Sequence, residues 1–309
     1  MAFRSDFPRP VAGGGSRPDP LGVSLRAALS SEPIDLAEAA LVVARIEYPQ
    51  LDAGRCLRIL DDLGARAAER LKDVDRNDLP GRVLRFNSFF YGECGFAGNR
   101  DWYSDVRNSL LNLVLDRRVG IPITLALVYI EVARRAGLIA RGVAFPGHFL
   151  LRVPASQVVV TRRHERAEAE LILDPFNGGR FMSEADCRIL LSGQLGDEVP
   201  FDASMLRPCS PTHLVARLLN NLKRVYLELR AYAYARRVTD LLLVIDPTML
   251  SELRDRGLLS YHLDDFPAAL RDLEDYLRLN AWADGGDREE RQKLQTHVSA
   301  LRRRVVSLN

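Results

Sequence analysis

The order of three short segments constrains this chain more than any other feature. Gly120-Ile-Pro-Ile-Thr124 leads into Leu125-Ala-Leu-Val-Tyr-Ile-Glu-Val-Ala-Arg-Arg-Ala136, with Gly137 behind it. Apolar residues at Leu125, Val128, Ile130, Val132 and Ala136 crowd most faces of that run, which predicts a buried helix rather than a half-exposed one. Pro122 suits a first helical turn, where its missing N–H costs nothing, and Gly137 sits where a helix stops. Ile139–Phe145 then reads as a strand, Pro146-Gly147 as a turn, and His148 as the residue that opens a second strand, Phe149–Val153. Glu170-Leu-Ile-Leu-Asp174 supplies a third strand that ends on a carboxylate. Helix, His strand and Asp strand form the skeleton of a site in which a nucleophile at a helix N-terminus is served by a His that an Asp orients. The expected nucleophile is a Cys, because a helix N-terminus lowers a thiol's pKa. Gly120-Ile121-Pro122 contains none.

Composition mostly supplies exclusions. A chain of 309 residues, 47% apolar and 27% charged, has room for two domains or one large one and suits a soluble globular protein. The net charge of +2 gives no bulk electrostatic reason to expect nucleic acid or a membrane surface as partner. No apolar run approaches the roughly 20 residues of a transmembrane helix, and the N-terminus shows no signal-peptide core. Cys56, Cys94, Cys187 and Cys209 are scattered without CxxC spacing. That argues against a zinc site and a disulfide framework, and it fits a reducing, cytoplasmic setting. No His/Asp/Glu spacing suggests a metal site, and no cofactor is implied.

Along the chain, residues 1–20 are rich in Pro and Gly and read as disordered. Residues from Leu21 to about Val74 are helical in pattern, with Asp35 and Asp52 as N-caps, and a third helix covers Gly81–Tyr91. Gly95–Asn108 is a polar, turn-rich loop set between apolar helices, a placement typical of functional loops; the plainer alternative, of equal weight, is a connector whose Asn99, Asp105 and Asn108 cap backbone ends. A short helix over Ser109–Leu115 follows. Residues 154–169 read as a surface excursion in which His164 is solvated, and Ser183 caps a helix over Met182–Ser192 that carries Cys187. Pro208–Pro211 marks a boundary. Beyond it the chain repeats at a spacing of 34: Tyr232 matches Phe266, Ala235 matches Ala269, and Ile245 matches Leu279. That period is the signature of tetratricopeptide helix pairs. Two units with a final helix form a short array, expected to pack on the domain before it.

These segments resemble a known family. Phe86-Asn-Ser-Phe-Phe90, Gly95-Phe-Ala-Gly-Asn-Arg-Asp101, Asp105-Val-Arg-Asn-Ser-Leu-Leu-Asn112, Arg117-Arg-Val-Gly-Ile-Pro-Ile-Thr124, Pro146-Gly-His-Phe149 and Leu173-Asp-Pro-Phe-Asn-Gly178 look like the SirB-type bacterial proteins, over roughly residues 30–280. The resemblance implies an α+β fold with four parts: a disordered start (1–20), a helical N-terminal part (21–85), a transglutaminase-like, papain-like core with a small antiparallel sheet (86–207), and an α-helical tetratricopeptide tail (212–309). In transglutaminase-like enzymes the helix opens with Gly-x-Cys, followed by a His strand and an Asp-Pro strand. Gly120, His148 and Asp174 match those positions, and Pro122 stands in the place of the Cys.

His148 and Asp174 are therefore read as a remnant catalytic dyad. Thr124, two residues into the helix, and Cys94, beside Gly95, are the alternative nucleophiles. Capping or packing is the plainer role for Thr124, because a hydroxyl needs strong activation to react. Asn99, Asp105, Arg107, Asn108, Asn112 and Pro122 are the expected lining of a binding cleft. Two functions follow. One is a non-catalytic module that binds a peptide or protein through the old cleft and the repeat tail. The other is a Cys- or Thr-dependent amide hydrolase or acyltransferase.

Overall fold

The computed structural model describes residues 19–155, 170–280 and 288–306. The expected disorder over residues 1–18 and the excursion over 156–169, with His164, lie outside the described residues. Asp19 and Pro20, assigned to the disordered start, instead open a helix, because the Asp19 carboxylate accepts from the N–H groups of Leu21 and Gly22. By contact density the chain divides into two compact units, residues 27–221 and the described residues up to Arg26 together with those from Leu222 onward.

Short polar caps set the first helices. Helix α1 spans Pro20–Ser30, α2 Leu36–Ala44, α3 Ala53–Leu71 and α4 Leu79–Asn87. Asp35, Asp52 and Asp78 each accept from a backbone N–H three residues on, satisfying donors that a helix start leaves unpaired. The Asp78 cap starts α4 two residues before Gly81. Its end differs from expectation too: the chain passes from α4 into a π-helical turn, Ser88–Glu93, which stacks Phe89 and Phe90 inward.

Two short strands bracket the polar loop. Strand β1 (Ala97–Gly98) runs parallel to β2 (Val119–Gly120), with Gly98 opposite Gly120. Helix α5 (Leu111–Arg117) lies between them in sequence and begins two residues later than expected. A Cβ on Gly98 would lie 2.6 Å from the Phe176 ring, so only glycine lets this ladder press against that ring.

Helix α6 (Pro122–Arg135) is the buried centre. Leu125, Ala126, Leu127, Val128, Tyr129, Val132 and Ala133 are all fully inaccessible. Burial of each large side chain among them contributes about 1.5–3 kcal/mol, so the helix is held by its surroundings more than by its own propensity. It packs on α3 and on the sheet that follows. That sheet is antiparallel and ordered β3 (Arg141–Val143), β4 (Leu150–Val153), β5 (Leu171–Asp174), β6 (Arg180–Met182). Strand β3 is shorter than the run 139–145. His148 does not open β4; it lies in a turn two residues before it, closed by His148 N–H to Phe145 C=O at 3.1 Å. Strand β6, absent from the sequence reading, pairs Asp174 with Arg180. Helix α7 (Glu184–Leu195) is capped by Ser183 and buries Cys187 under the sheet.

The second unit is helical. Helix α8 (Pro211–Glu228), which belongs to this unit from Leu222 onward, is followed by α9 (Tyr232–Ile245), α10 (Leu250–His262) and α11 (Phe266–Leu279); α9 and α11 keep the 34-residue offset at both ends, α8 and α10 only at their last residues, and α12 (Arg288–Val306) closes the set. Ala235 and Ala269 are fully buried. A Cβ on Gly257 would meet Leu273 at 2.7 Å, so this glycine sets how closely α10 approaches α11. Phe266, Ala269, Leu273 and Tyr276 share a core with Leu294, Val298 and Leu301 of α12.

Candidate functional site

Asp174 ends β5 and caps the turn that follows it. Its Oδ1 accepts from the N–H groups of Phe176 and Asn177, at 3.0 and 3.3 Å, and its Oδ2 accepts from Asn177 Nδ2 at 2.6 Å. His148 Nε2 lies 3.0 Å from Asp174 Oδ1. The two side chains are 8% and 1% exposed. Burial alone would raise the Asp174 pKa, but the His148 hydrogen bond and charge, then Asn177 and the Phe176 amide, outweigh it and hold the carboxyl below its usual range. An ionised carboxylate only accepts, so in the neutral ring the proton sits on Nε2 and the lone pair on Nδ1. Among the described residues Nδ1 has no hydrogen-bond partner.

A second tier of buried polar groups fixes this pair. Tyr129 Oη of α6 donates to Asn87 Oδ1 at 2.9 Å, and Asn87 Nδ2 donates to Gly179 C=O at 2.8 Å. Gly179 N–H in turn donates to Asp174 C=O at 2.9 Å. Gly179 has φ +68°, and a Cβ there would strike the Asn87 amide at 2.6 Å. Tyr91 Oη donates to Pro175 C=O at 3.1 Å. The central helix is thus bonded through Asn87 to the turn that carries the carboxylate.

The N-terminus of α6 lies on the same side. Gly120 pairs with Gly98, Gly98 touches Phe176, and the Phe176 ring stands edge-on to His148 at 6.3 Å. Pro122 is the first helical residue there and is buried. Thr124 does not present its hydroxyl to a substrate. Its Oγ1 donates to Asn108 C=O at 2.7 Å and accepts from Ile121 N–H at 3.1 Å, at 1% exposure.

The polar loop holds itself together. Asn108 is fully buried; its Nδ2 donates to Trp102 C=O at 2.7 Å, and its Oδ1 accepts from Asn99 Nδ2 and Arg117. Asn99 Oδ1 accepts from Trp102 N–H. Both asparagines therefore shape the loop, Asn108 from full burial and Asn99 from a half-buried position. Asp105 would be raised by burial, but bonds from the Arg107 side chain and backbone, with Arg117 nearby, hold it below the usual carboxylate range. Arg107 is pinned to Asp105 and remains 59% exposed. Among the side chains that the loop presents to solvent are Trp102 at 73% exposure, Tyr103 and Arg100. Tyr103 and Arg100 approach Phe176, and Arg100 hydrogen-bonds Asn177 Oδ1. Phe176 and Arg100 stand beside the dyad turn without a periodicity or spacing that marks them, and Trp102 stands out in the sequence only as an aromatic in a polar loop.

Two candidates lie elsewhere. The charged neighbours of Cys94 are Arg66, Arg118, Glu93 and Asp62, with neither dyad member among them, and burial raises its thiol pKa. Asn112 lines a separate cleft with Tyr48, Leu51 and Arg55. Among the described residues no cluster of His, Cys, Asp and Glu is suited to hold a metal ion, and no helix is long and apolar enough to cross a membrane.

A profile of the transglutaminase-like superfamily matches residues 55–220, and a tetratricopeptide repeat profile matches residues 222–296. A UPF0162 protein of Xylella fastidiosa is 39% identical over 265 residues, 84% of this chain and 89% of that protein. A UPF0162 protein of Pseudomonas aeruginosa is 35% identical over 82% of this chain and 87% of its own length. Protein SirB1 of Salmonella typhimurium is 29% identical over 69% of this chain and 75% of its own. No solved structure matches.

Proposed function

The chain belongs to the transglutaminase-like superfamily, with tetratricopeptide repeats behind that domain, and from that premise we propose that it is a non-catalytic member which binds a peptide or protein partner beside His148. One observation carries the reading: the dyad is assembled, while the first residue of α6 is a buried proline. Nucleophilic catalysis needs a thiolate or hydroxyl within about 3 Å of its base. Pro122 offers neither, Thr124 is consumed as a cap, and Cys94 is a raised-pKa thiol among other charges. Losing a nucleophile removes most of a triad's rate, leaving orientation and binding.

The surroundings support binding. Exposed Trp102 and half-exposed Tyr103 beside Arg100 offer the side chains that dominate protein interfaces. The His148 ring stands edge-on to Phe176, which Tyr103 and Arg100 also approach. Tetratricopeptide arrays present extended surfaces of the kind that receive protein partners.

The test has two halves. Amine incorporation and peptide hydrolysis are assayed with wild type, His148→Ala and Cys94→Ser. No turnover above background is expected from any of them, and turnover abolished by either substitution overturns the reading in favour of an amide hydrolase or acyltransferase. A peptide array is then probed with wild type, His148→Ala and Trp102→Ala. Peptides held by wild type and lost by both variants support it; a wild type that holds no peptide overturns it.

A further inference from the structure

The loop Gly95–Asn108 meets the turn after β5 through one charged side chain. Arg100 is exposed; its Nη2 donates to Asn177 Oδ1, and its Cζ lies 6.0 Å from the centroid of the Phe176 ring. Asn177 passes the bond on, since its Nδ2 donates to Asp174 Oδ2 at 2.6 Å. The guanidinium is thus held in place at the surface, one side chain away from the dyad. An arginine carries five N–H donors in a rigid fork. Among the described residues the fork of Arg100 has Asn177 as its acceptor and no carboxylate paired with it.

Neighbouring carboxylates are occupied. Asp174 receives four donors, and Asp105 is met by two guanidinium groups, Arg107 at 2.7 Å and Arg117 at 3.7 Å. Asp101 follows Arg100 in sequence and is exposed, yet forms no ion pair with it. A basic segment arriving beside Phe176 would meet like charge on Arg100, whereas an acidic one would find a cation with donors to spare. The kind of acidic group is narrowed as well. A chain-terminal carboxylate is captured by free backbone N–H groups. Those of Phe176 and Asn177 are spent on the Asp174 side chain, that of Gly179 on Asp174 C=O, and that of Trp102 on Asn99. Phosphate is read by clusters of arginines, and a single guanidinium lies over Phe176 among the described residues. One planar fork matches one side-chain carboxylate.

On the basis of the peptide-binding reading above, we propose that Arg100 selects partners whose bound segment carries an Asp or Glu side chain, which pairs with the guanidinium while flanking residues of the segment rest on Trp102. Exposed ion pairs contribute little by themselves, so this one sets which peptide is held more than how tightly.

An immobilised library of random octapeptides of even composition is probed with full-length wild type, Arg100→Gln and Arg100→Glu. Peptides held by wild type are expected to be enriched in Asp and Glu. That enrichment disappears in Arg100→Gln and turns toward Lys and Arg in Arg100→Glu. The tightest acidic peptide, and its counterpart with the carboxylate replaced by the amide, are then titrated by fluorescence anisotropy as a double-mutant cycle. Arg100→Gln is expected to weaken the acidic peptide about threefold or more and to leave the amide peptide within about twofold, so the two changes are non-additive. Equal weakening of both peptides would show that Arg100 only props the turn, and it overturns the proposal. Asp101→Asn removes a neighbouring like charge while leaving the Asn177 contact in place, and it is expected to strengthen the acidic peptide; no gain counts against the proposal even where an Arg100 variant fails to fold. Peptides held through His148 and Trp102 without acidic enrichment would sink this proposal alone, whereas a wild type that holds no peptide sinks the peptide-binding reading with it.

Discussion

Replacing Tyr129 by Phe removes one oxygen atom from the buried chain that holds the dyad. The ring keeps its neighbours, edge-on to Phe86 at 4.6 Å and Phe90 at 5.3 Å, so no packing is lost. What changes is Asn87 Oδ1, which loses its donor at 9% exposure while its Nδ2 stays on Gly179 C=O. An orphaned buried acceptor costs about 1–3 kcal/mol, against about 1 kcal/mol for an ordinary hydrogen bond. The upper half of that range is expected here, because Tyr129 is fully enclosed and water has no path to replace it. Urea unfolding followed by circular dichroism reads the loss as a lower midpoint at an unchanged slope. Asn87→Ala and the double variant complete a cycle, and the two effects are expected to be non-additive by about 1 kcal/mol or more. Nitrogen-15 spectra of the His148 ring are also expected to shift in Tyr129→Phe, since Asn87 anchors the turn after Asp174. A loss under about 0.5 kcal/mol, or additive effects, would refute the claim that this chain of bonds supports the site.

Two further predictions bear on the dyad. Asp174 has a folded-state pKa below its unfolded value; its stabilisation is therefore complete above about pH 4 and lost as pH falls through the lower folded value. Asp174→Asn should lower stability at neutral pH and flatten the wild-type decline on that acid limb, as read from urea midpoints across the range; an unchanged limb would count against it. Burial raises the pKa of Cys56, Cys94, Cys187 and Cys209, the third to about 11, so iodoacetamide should label wild type slowly at neutral pH. Pro122→Cys places a thiol at a helix N-terminus beside His148 and is expected to label at least about tenfold faster, with the gain removed by His148→Ala; labelling at the wild-type rate would mean that α6 does not aim at the dyad.

Much of the fold was legible because it follows local rules. Asp35, Asp52 and Ser183 announced helix starts, and each accepts the backbone bond expected of it. The 34-residue offset between Tyr232 and Phe266 reappears as two helices of equal length. What escaped was non-local. The β1–β2 ladder is two residues long and parallel, so no alternation marks it. Strand β6 has only three residues, and its sole cue was a glycine turn that served equally well as a helix lead-in. His148 sits before its strand because the turn at Gly147, φ +71°, runs on through two more residues before β4 opens at Leu150. In the polar loop, Asn99 and Asn108 are expected either to line a cleft or to cap backbone ends, and both do bond the loop's own backbone, as polar side chains in a compact loop tend to.

The same accounting explains how a dyad can persist without a nucleophile. A buried carboxylate loses several kcal/mol of solvation, and charge-assisted bonds return about 1.5–3 kcal/mol each. Asp174 receives four, from His148, two backbone amides and Asn177. The terms nearly cancel only with all donors present, so removing the His148 bond leaves an undersupplied buried charge. His148 is thus required by the fold of its turn, whatever chemistry takes place beside it. That requirement fixes Nε2 on the carboxylate, with the His148 ring edge-on to Phe176 and Tyr103 on that same phenylalanine. On the proposed reading, the pair would serve recognition, because the helix start beside it carries a proline where a nucleophile would stand.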